Sequence, residues 1–304
     1  MKSKKIIVIT GPTASGKSAL AHALAKKYGS EIISADSRLI YKKMNIGTAK
    51  PTQEELSEVN YHCLNLIEPY QDYSLGKYLE NAQPKIKEII EKYGFVFVVG
   101  GTGFYLRGLL EKLALTEIGP NLELREKIKN QSTENLYAEL KQKDLNNKWK
   151  MHFNDRMRII RALEIELIEN KQEVLPLVNN DFNDFLTECE IIWLGLNFDL
   201  RDKLRAKIKI RTEIMLKAGL VEETKLLIAE YGELELLKKT IGYAECLSYL
   251  NQTISSEDEL LDRIIISTSQ YAKRQMTWFK TNENINWLNA ESPNLLSEAE
   301  SLIY

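Results

Sequence analysis

Eight consecutive residues near the start of the chain, Gly11-Pro12-Thr13-Ala14-Ser15-Gly16-Lys17-Ser18, satisfy the spacing G-x-x-x-x-G-K-[ST]. Each residue type there has a task toward phosphate. Glycines let backbone N–H groups turn inward around oxygens, and a helix opening at Lys17 adds partial positive charge. Lys17 can neutralise a terminal phosphate, and the Ser18 hydroxyl can ligate Mg2+. The pattern does not say which phosphate compound is held, since a nucleotide and a prenyl pyrophosphate present the same oxygens. Two further positions stand at strand ends: Asp36 after the run Glu31 to Ser34, and Thr102 within Gly100-Gly101-Thr102-Gly103, which closes the run Phe95 to Val99. A carboxylate and a hydroxyl beside a cradled pyrophosphate suit a reaction in which a nucleophile is oriented and loses a proton as pyrophosphate departs.

What is missing also informs. A motor or switch nucleotidase needs an apolar strand ending on an acidic Mg2+ ligand, and the best-formed later strand ends on glycine instead. Arg211 can reach the same phosphate if its helix faces the site, though a surface ion pair is an equal reading. Arg156, Arg158 and Arg161, and further on Lys273 and Arg274 near Trp278 and Phe279, have the character of a polyanion contact with neighbouring aromatics. Charge runs of this kind are more often solvated helix faces. His22, His62 and His152 lack metal-ligand spacing, and Cys63, Cys189 and Cys246 are too scattered for a disulfide framework or a zinc site.

The elements that must position these groups begin with alternation of strand and helix. Lys5 to Thr10 reads as a strand, Ser18 to Lys27 as a helix, and the apolar runs at 31–34, 95–99 and 191–196 as strands covered on both faces. Such a sheet gathers ligands at the carboxyl ends of its strands, where the P-loop, Asp36 and Thr102 all fall. Between 116 and 185 the pattern changes to charged helical periodicity, over Leu122 to Lys129, Glu134 to Lys141 and Arg156 to Ile168. The expected architecture is α/β, a P-loop parallel sheet over 1–115 and 186–304 interrupted by a helical insertion over 116–185. Long helices are expected over Arg201 to Ala218 and Glu257 to Lys280, and a last strand over Ile285 to Leu288. Of 304 residues 44% are hydrophobic and 28% charged, the net charge is −2, and no apolar run is long enough to cross a bilayer. A soluble, cytosolic protein without a leader is expected, with a monomer as the default. Polyanion binding would have to come from local basic faces.

The motif order resembles the tRNA dimethylallyltransferase family, also called tRNA isopentenyltransferases, along nearly the whole chain. The matching segments are GPTASGKS at 11–18, SADSRLIY at 34–41, NIGTAKP at 45–51, VVGGTGFY at 98–105, NDRMRIIRALE at 154–164 and AKRQMTWF at 272–279. The resemblance implies that Gly11 to Ser18, with Arg211, hold dimethylallyl pyrophosphate, with Mg2+ on Ser18. It further implies that an adenosine just 3′ of the anticodon, in tRNAs reading codons that begin with U, is flipped into a central channel. Asp36 would act as base toward the exocyclic amine, and Thr102 would help hold the substrates. It places tRNA contacts at Asp36, Ser37, Arg38 and Leu39, at Thr102, at Met157, Arg158, Ile159, Ile160 and Arg161, and at Lys273, Arg274, Gln275, Trp278 and Lys280, with Arg125 and the Thr240 to Ala244 segment aligned less securely. Leu39 replaces a glutamine common in relatives, and Tyr61-His62-Cys63 replaces an expected Pro-His-His. The chain resembles the bacterial type, without the zinc-finger extension of many eukaryotic relatives. From the residues alone, a small-molecule kinase stands level with a transferase, and an RNA-binding nucleotide sensor leaves Thr102 and its turn without a task.

Overall fold

A computed structural model of the chain describes residues 4–111, 115–116, 119–144, 147–169, 176–177 and 180–303. The run that the sequence marks as a strand forms β1, Lys4–Thr10, and leads through the Gly-rich turn into α1, Lys17–Tyr28. β2, Ile32–Ser34, is followed by α2, Gln53–Glu58, and the two-residue β3, Tyr61–His62. Then come α3, Leu75–Tyr93, β4, Phe95–Val99, and α4, Gly103–Leu110. Beyond lie β5, Leu115–Thr116, α5, Leu122–Ile128, α6, Thr133–Lys143, α7, Arg156–Glu169, and β6, Pro176–Leu177. The remaining elements are α8, Asn180–Thr187, β7, Cys189–Asn197, α9, Arg201–Lys217, α10, Leu220–Tyr231, α11, Glu235–Lys238, α12, Tyr243–Leu250, α13, Glu257–Phe279, β8, Ile285–Asn289, and α14, Leu295–Ile303.

Six strands form one sheet in the order β3-β2-β4-β1-β7-β8, and every pairing in it is parallel. Ile6, Ile7, Val8 and Ile9 are all fully buried, which is why β1 reads as an unbroken apolar run: both of its faces are covered. On one face α1 and α14 supply Leu20, Leu24, Ala299 and Ile303 to the core against Ile7, Phe97 and Leu194. A second core gathers Ile40, Met44, Leu220, Tyr243 and Leu260 from the β2 to α2 connection and from α10, α12 and α13.

The chain divides into two compact units, Met1–Lys112 with Asn180–Tyr304, and Leu113–Asn179. The second is built by α5, α6 and α7 around Leu136, Leu140, Ile159, Ala162 and Leu163, and β5 and β6 pair antiparallel within it. The insertion therefore ends before α8, earlier than the boundary expected at residue 185. The physical reason is packing: Phe182 of α8 is fully buried, and Phe185 takes the ammonium groups of Lys4 and Lys87 over its ring, tying the helix to the sheet unit.

Candidate active site

The parallel order puts β1 at the centre with β4 on one side and β7 on the other, and the carboxyl ends of β1, β2 and β4 open on one crevice. From β1 the chain enters the phosphate loop. Gly16 caps α1 at φ 85° and Ala14 sits at φ 64°, left-handed conformations that turn successive peptide groups inward. The first-turn amides of α1 have no carbonyl partner within their own helix. Ser15 is 3% exposed, and its hydroxyl is buried without a hydrogen-bond partner among the described residues. An orphaned buried hydroxyl in a ring of inward amides is the donor set a phosphate oxygen completes.

Lys17 reaches back to the Pro12 carbonyl at 3.3 Å. Burial pushes its ammonium down to about 8, with Asp36 opposing the fall and Arg211 adding to it. Arg211 of α9 donates to the Thr13 hydroxyl at 3.2 Å, and burial lowers its guanidinium too, against the pull of Asp36. Two cations held close together beside one carboxylate form a site with unspent positive charge. Asp36 accepts a hydrogen bond from the Arg38 amide at 2.8 Å, which fixes the turn 36–40 after β2. Thr102, the N-cap of α4, receives the Ser37 amide on its hydroxyl at 3.0 Å, while its own amide donates to the Ala35 carbonyl at 3.2 Å. The glycine two residues before it is dictated by space, because a Cβ on Gly100 would stand 2.1 Å from the Ala35 carbonyl oxygen. The β2 and β4 ends are thus stitched together, and Asp36 and Thr102 share one rim.

Two cavities flank the phosphate loop. An inner one of about 360 Å3 is lined by Thr13, Asp36, Ser37, Arg38, Arg211, the 239–242 segment, and Ile264, Thr268, Tyr271 and Arg274 of α13. An outer one of about 1020 Å3 is lined by Lys17, Ser18, Lys42, Lys43, Lys50, Lys207 and Arg211, with Ile46, Ile210 and Ile214. Arg211 belongs to both. The arrangement can hold a pyrophosphate on the loop with one end reaching toward Asp36 and Thr102.

A family model described as IPP transferase matches residues 39–282, and one described as isopentenyl transferase matches residues 4–65. The chain belongs to the IPP transferase family. Family relatives named tRNA dimethylallyltransferase include one from Trichodesmium erythraeum, 40% identical over 96% of this chain and 94% of its own length. Another from Synechococcus elongatus is 38% identical over 98% of this chain and 94% of its own. Among solved structures, the tRNA isopentenylpyrophosphate transferase of Bacillus halodurans superposes with a TM-score of 0.71 at 30% identity, covering 99% of this chain and 95% of that one. A eukaryotic dimethylallyltransferase solved acting on tRNA superposes at 0.75 with 26% identity, covering 99% and 76%. The enzyme class of the family is prenyl transfer, and its parallel P-loop sheet is the one described here.

The residues that the family resemblance assigns to tRNA separate in the structure. Within the inserted unit Met157 and Arg158 are exposed, but Ile159 and Ile160 are 0% and 8% exposed and belong to its core, so their side chains present nothing to RNA. Arg125 donates to the fully buried Glu164 at 2.6 and 3.2 Å, and Arg161 reaches the same carboxylate at 3.1 Å. Against the opposing effect of burial, those hydrogen bonds hold the Glu164 carboxyl below its usual range. Both arginines are half-buried struts of that unit before they can be anything else. On α13, Lys273, Arg274 and Lys280 are exposed and Trp278 is half-buried, packed over Gly103. Gln275 is only 6% exposed, with both ends of its amide on backbone groups, and is not part of a surface.

Sequence reasoning missed Glu223, Lys50 and Tyr271. Glu223, at the start of α10, accepts the amides of Asn45, Ile46 and Gly47 at 2.9 to 3.2 Å and the Tyr243 hydroxyl at 2.6 Å. Lys50 binds the Tyr41 carbonyl and the side chains of Asn65 at 2.6 Å and Asn45 at 3.2 Å, and burial pushes it down to about 8. Together they fold the 45–51 motif between the two cavities. Tyr271 was findable from spacing: Ile264, Thr268 and Tyr271 fall four and three apart, one helix face.

Proposed function

We propose that the chain transfers the dimethylallyl group of dimethylallyl pyrophosphate to the exocyclic N6 amine of the adenosine 3′ of the anticodon, in tRNAs reading codons that begin with U. The amine nitrogen bonds to the allylic carbon as the carbon–oxygen bond to pyrophosphate breaks, and the amine proton passes to Asp36 or to the departing pyrophosphate. The observation that carries the reading is the convergence of Thr13 of the phosphate loop, Arg211 and Asp36 on one cavity, with Thr102 holding the amide of Ser37 in its lining, and with glycine rather than an acid following β4. Lys17, Arg211 and the loop amides stabilise charge growing on the leaving oxygens, the largest lever in such a transfer. Asp36 orients the amine and takes up its proton, and Thr102 holds the turn that carries it.

Ser18, the second residue of α1, is exposed, with a hydroxyl that makes no hydrogen bond among the described residues, and it would hold a Mg2+ ion, which would supply neutralisation of the pyrophosphate charge when bound. Among the described residues no group of three or more histidine, cysteine or acidic side chains could hold a metal by itself, so the ion would arrive with the donor. Contacts to tRNA fall to Lys273, Arg274, Trp278 and Lys280 on α13 and, on the inserted unit, to Met157 and Arg158. Leaving the base stack costs roughly a few kcal/mol, less in a loop than in a duplex, which suits an anticodon loop. No described helix is long and apolar enough to cross a membrane, and a tRNA acceptor supports a cytoplasmic reaction. The kinase alternative draws no support from the relatives.

The test is transfer of radiolabelled dimethylallyl pyrophosphate with Mg2+ onto unmodified tRNA, beside a Lys17→Ala control. Label in the tRNA that disappears in the control is expected. Unlabelled tRNA with ATP cleaved instead would return the chain to the kinases.

A further inference from the structure

Gln275 is the buried polar side chain that touches both halves of the proposed site. Its Oε1 accepts the Thr13 amide of the phosphate loop at 2.8 Å, and its Nε2 donates to the Gly101 carbonyl at 2.9 Å. The fit is close: a Cβ on Gly101 would lie 2.2 Å from that nitrogen, so a larger residue at 101 would have to displace the glutamine amide. From Gly101 the chain passes to Thr102, which holds the Ser37 amide next to Asp36, while Thr13 on the other side holds Arg211 at 3.2 Å. We infer that Gln275 is a positioning residue that registers the donor-holding loop against the Asp36 and Thr102 rim. It does so because one planar amide offers an acceptor and a donor to a backbone N–H and a backbone C=O that belong to different strand ends.

The inference rests on the transferase reading, since it assigns the donor to one loop and the acceptor to the other. Its chemistry is specific. A primary amide presents one acceptor and one donor end, a carboxylate presents acceptors only, and a thioether neither donates nor accepts strongly. Each loop keeps its own internal hydrogen bonds without Gln275, so losing the bridge should leave phosphate binding in place and disturb the spacing between donor carbon and amine. A misplacement of about 1 Å can cost roughly 100-fold in rate. The same helix shows Lys273 and Arg274 to the outside within one turn of Gln275, so the bridge is anchored on the element expected to meet RNA.

The experiment compares the full-length parent with Gln275→Met and Gln275→Glu for kcat, donor KM, Tm, binding of inorganic pyrophosphate with Mg2+, and rate between about pH 5.5 and 7.5. For Gln275→Met the expected result is a fall in kcat of roughly 10- to 100-fold, with pyrophosphate binding within about threefold. For Gln275→Glu, protonation restores one donor and one acceptor, so its rate relative to the parent should recover as pH falls, while the Gln275→Met ratio stays flat. The charged and titratable groups around that position include Lys17, Asp36, Arg38, Arg211, Tyr271 and Arg274, all present in the parent, so dividing by the parent rate isolates the introduced carboxyl. A Gln275→Met protein with parent kcat, or one whose rate, pyrophosphate binding and Tm all fall together with no acid recovery in Gln275→Glu, would overturn the inference. A parent that labels no tRNA would instead strike the transferase reading, a failure visible without any variant.

Discussion

At the scale of single residues, the site is a balance of two cations against one carboxylate. Asp36 is the group closest to the proposed proton transfer, and general-base contributions run to about 100- to 10,000-fold. Asp36→Asn keeps the shape and the turn, so kcat should fall by at least about 100-fold while pyrophosphate binding persists. Single-turnover transfer beside calorimetric pyrophosphate titration checks both, and an unchanged kcat would remove Asp36 from the mechanism. Lys17 makes a second prediction through its depressed position near 8. Between about 8 and its ordinary range near 10.5 the unfolded chain holds a proton the native state has released, so the native state gains stability as pH rises through that window. Below about 8 the native state must carry a buried charge. Lys17→Met should therefore have the higher Tm at pH 7, an advantage that shrinks above pH 8, while losing stabilisation by pyrophosphate. Thermal melts of both proteins across that range, with and without Mg2+ and pyrophosphate, decide the matter.

At the scale of elements, strands were the most legible part, because a strand buried on both faces cannot hide its apolar run: β4 spans Phe95–Val99 as expected, and β7 extends the expected run by two residues at its start and one at its end. Helix α13 was legible from its Ser256 cap, whose side chain accepts the Glu259 amide. α3 was not read, since Pro84 sits inside it and interrupts the expected signal; there the proline lies on the exposed face, where its missing N–H costs least. The burial of Gln275, Ile159 and Ile160 was hidden for a different reason. A motif shows which residues recur together, but only packing shows which of them turn inward. Glu223 acts at this scale because one carboxylate at the head of α10 gathers three backbone amides of a distant loop. Glu223→Ala leaves those amides and the Tyr243 hydroxyl without their acceptor, a loss of about 1–3 kcal/mol. Since Asn45 and Gly47 face the two cavities, donor KM should rise as well. A urea midpoint lowered at unchanged slope, together with a raised KM, is the expected pair of readings; an unchanged midpoint would show the loop holds itself.

For the whole molecule, the division into two units implies that the donor chemistry and part of the RNA recognition are separable. Among the described residues, the inserted unit has a core cluster of its own and the sheet unit has three. Within the insertion, Leu115 pairs with Leu177 and Thr116 with Pro176, which brings its first and last strands side by side. Neighbouring antiparallel strands lie roughly 5 Å apart, so a linker of a few Gly and Ser residues can join Leu115 to Leu177 in place of 116–176. The shortened protein should unfold in one cooperative transition and still be stabilised by pyrophosphate with Mg2+, because Gly11 to Ser18, Arg211, Asp36 and Thr102 all lie in the unit that remains. Transfer to tRNA should fall by more than about tenfold, since the exposed Met157 and Arg158 go with the insertion. Calorimetry with and without pyrophosphate, followed by the labelled-donor assay, separates the possibilities. A shortened protein without a cooperative transition would mean that the sheet unit needs the insertion to fold. One that transfers to tRNA at the parent rate would mean that RNA is recognised by the sheet unit alone, through α13 and the turn after β2.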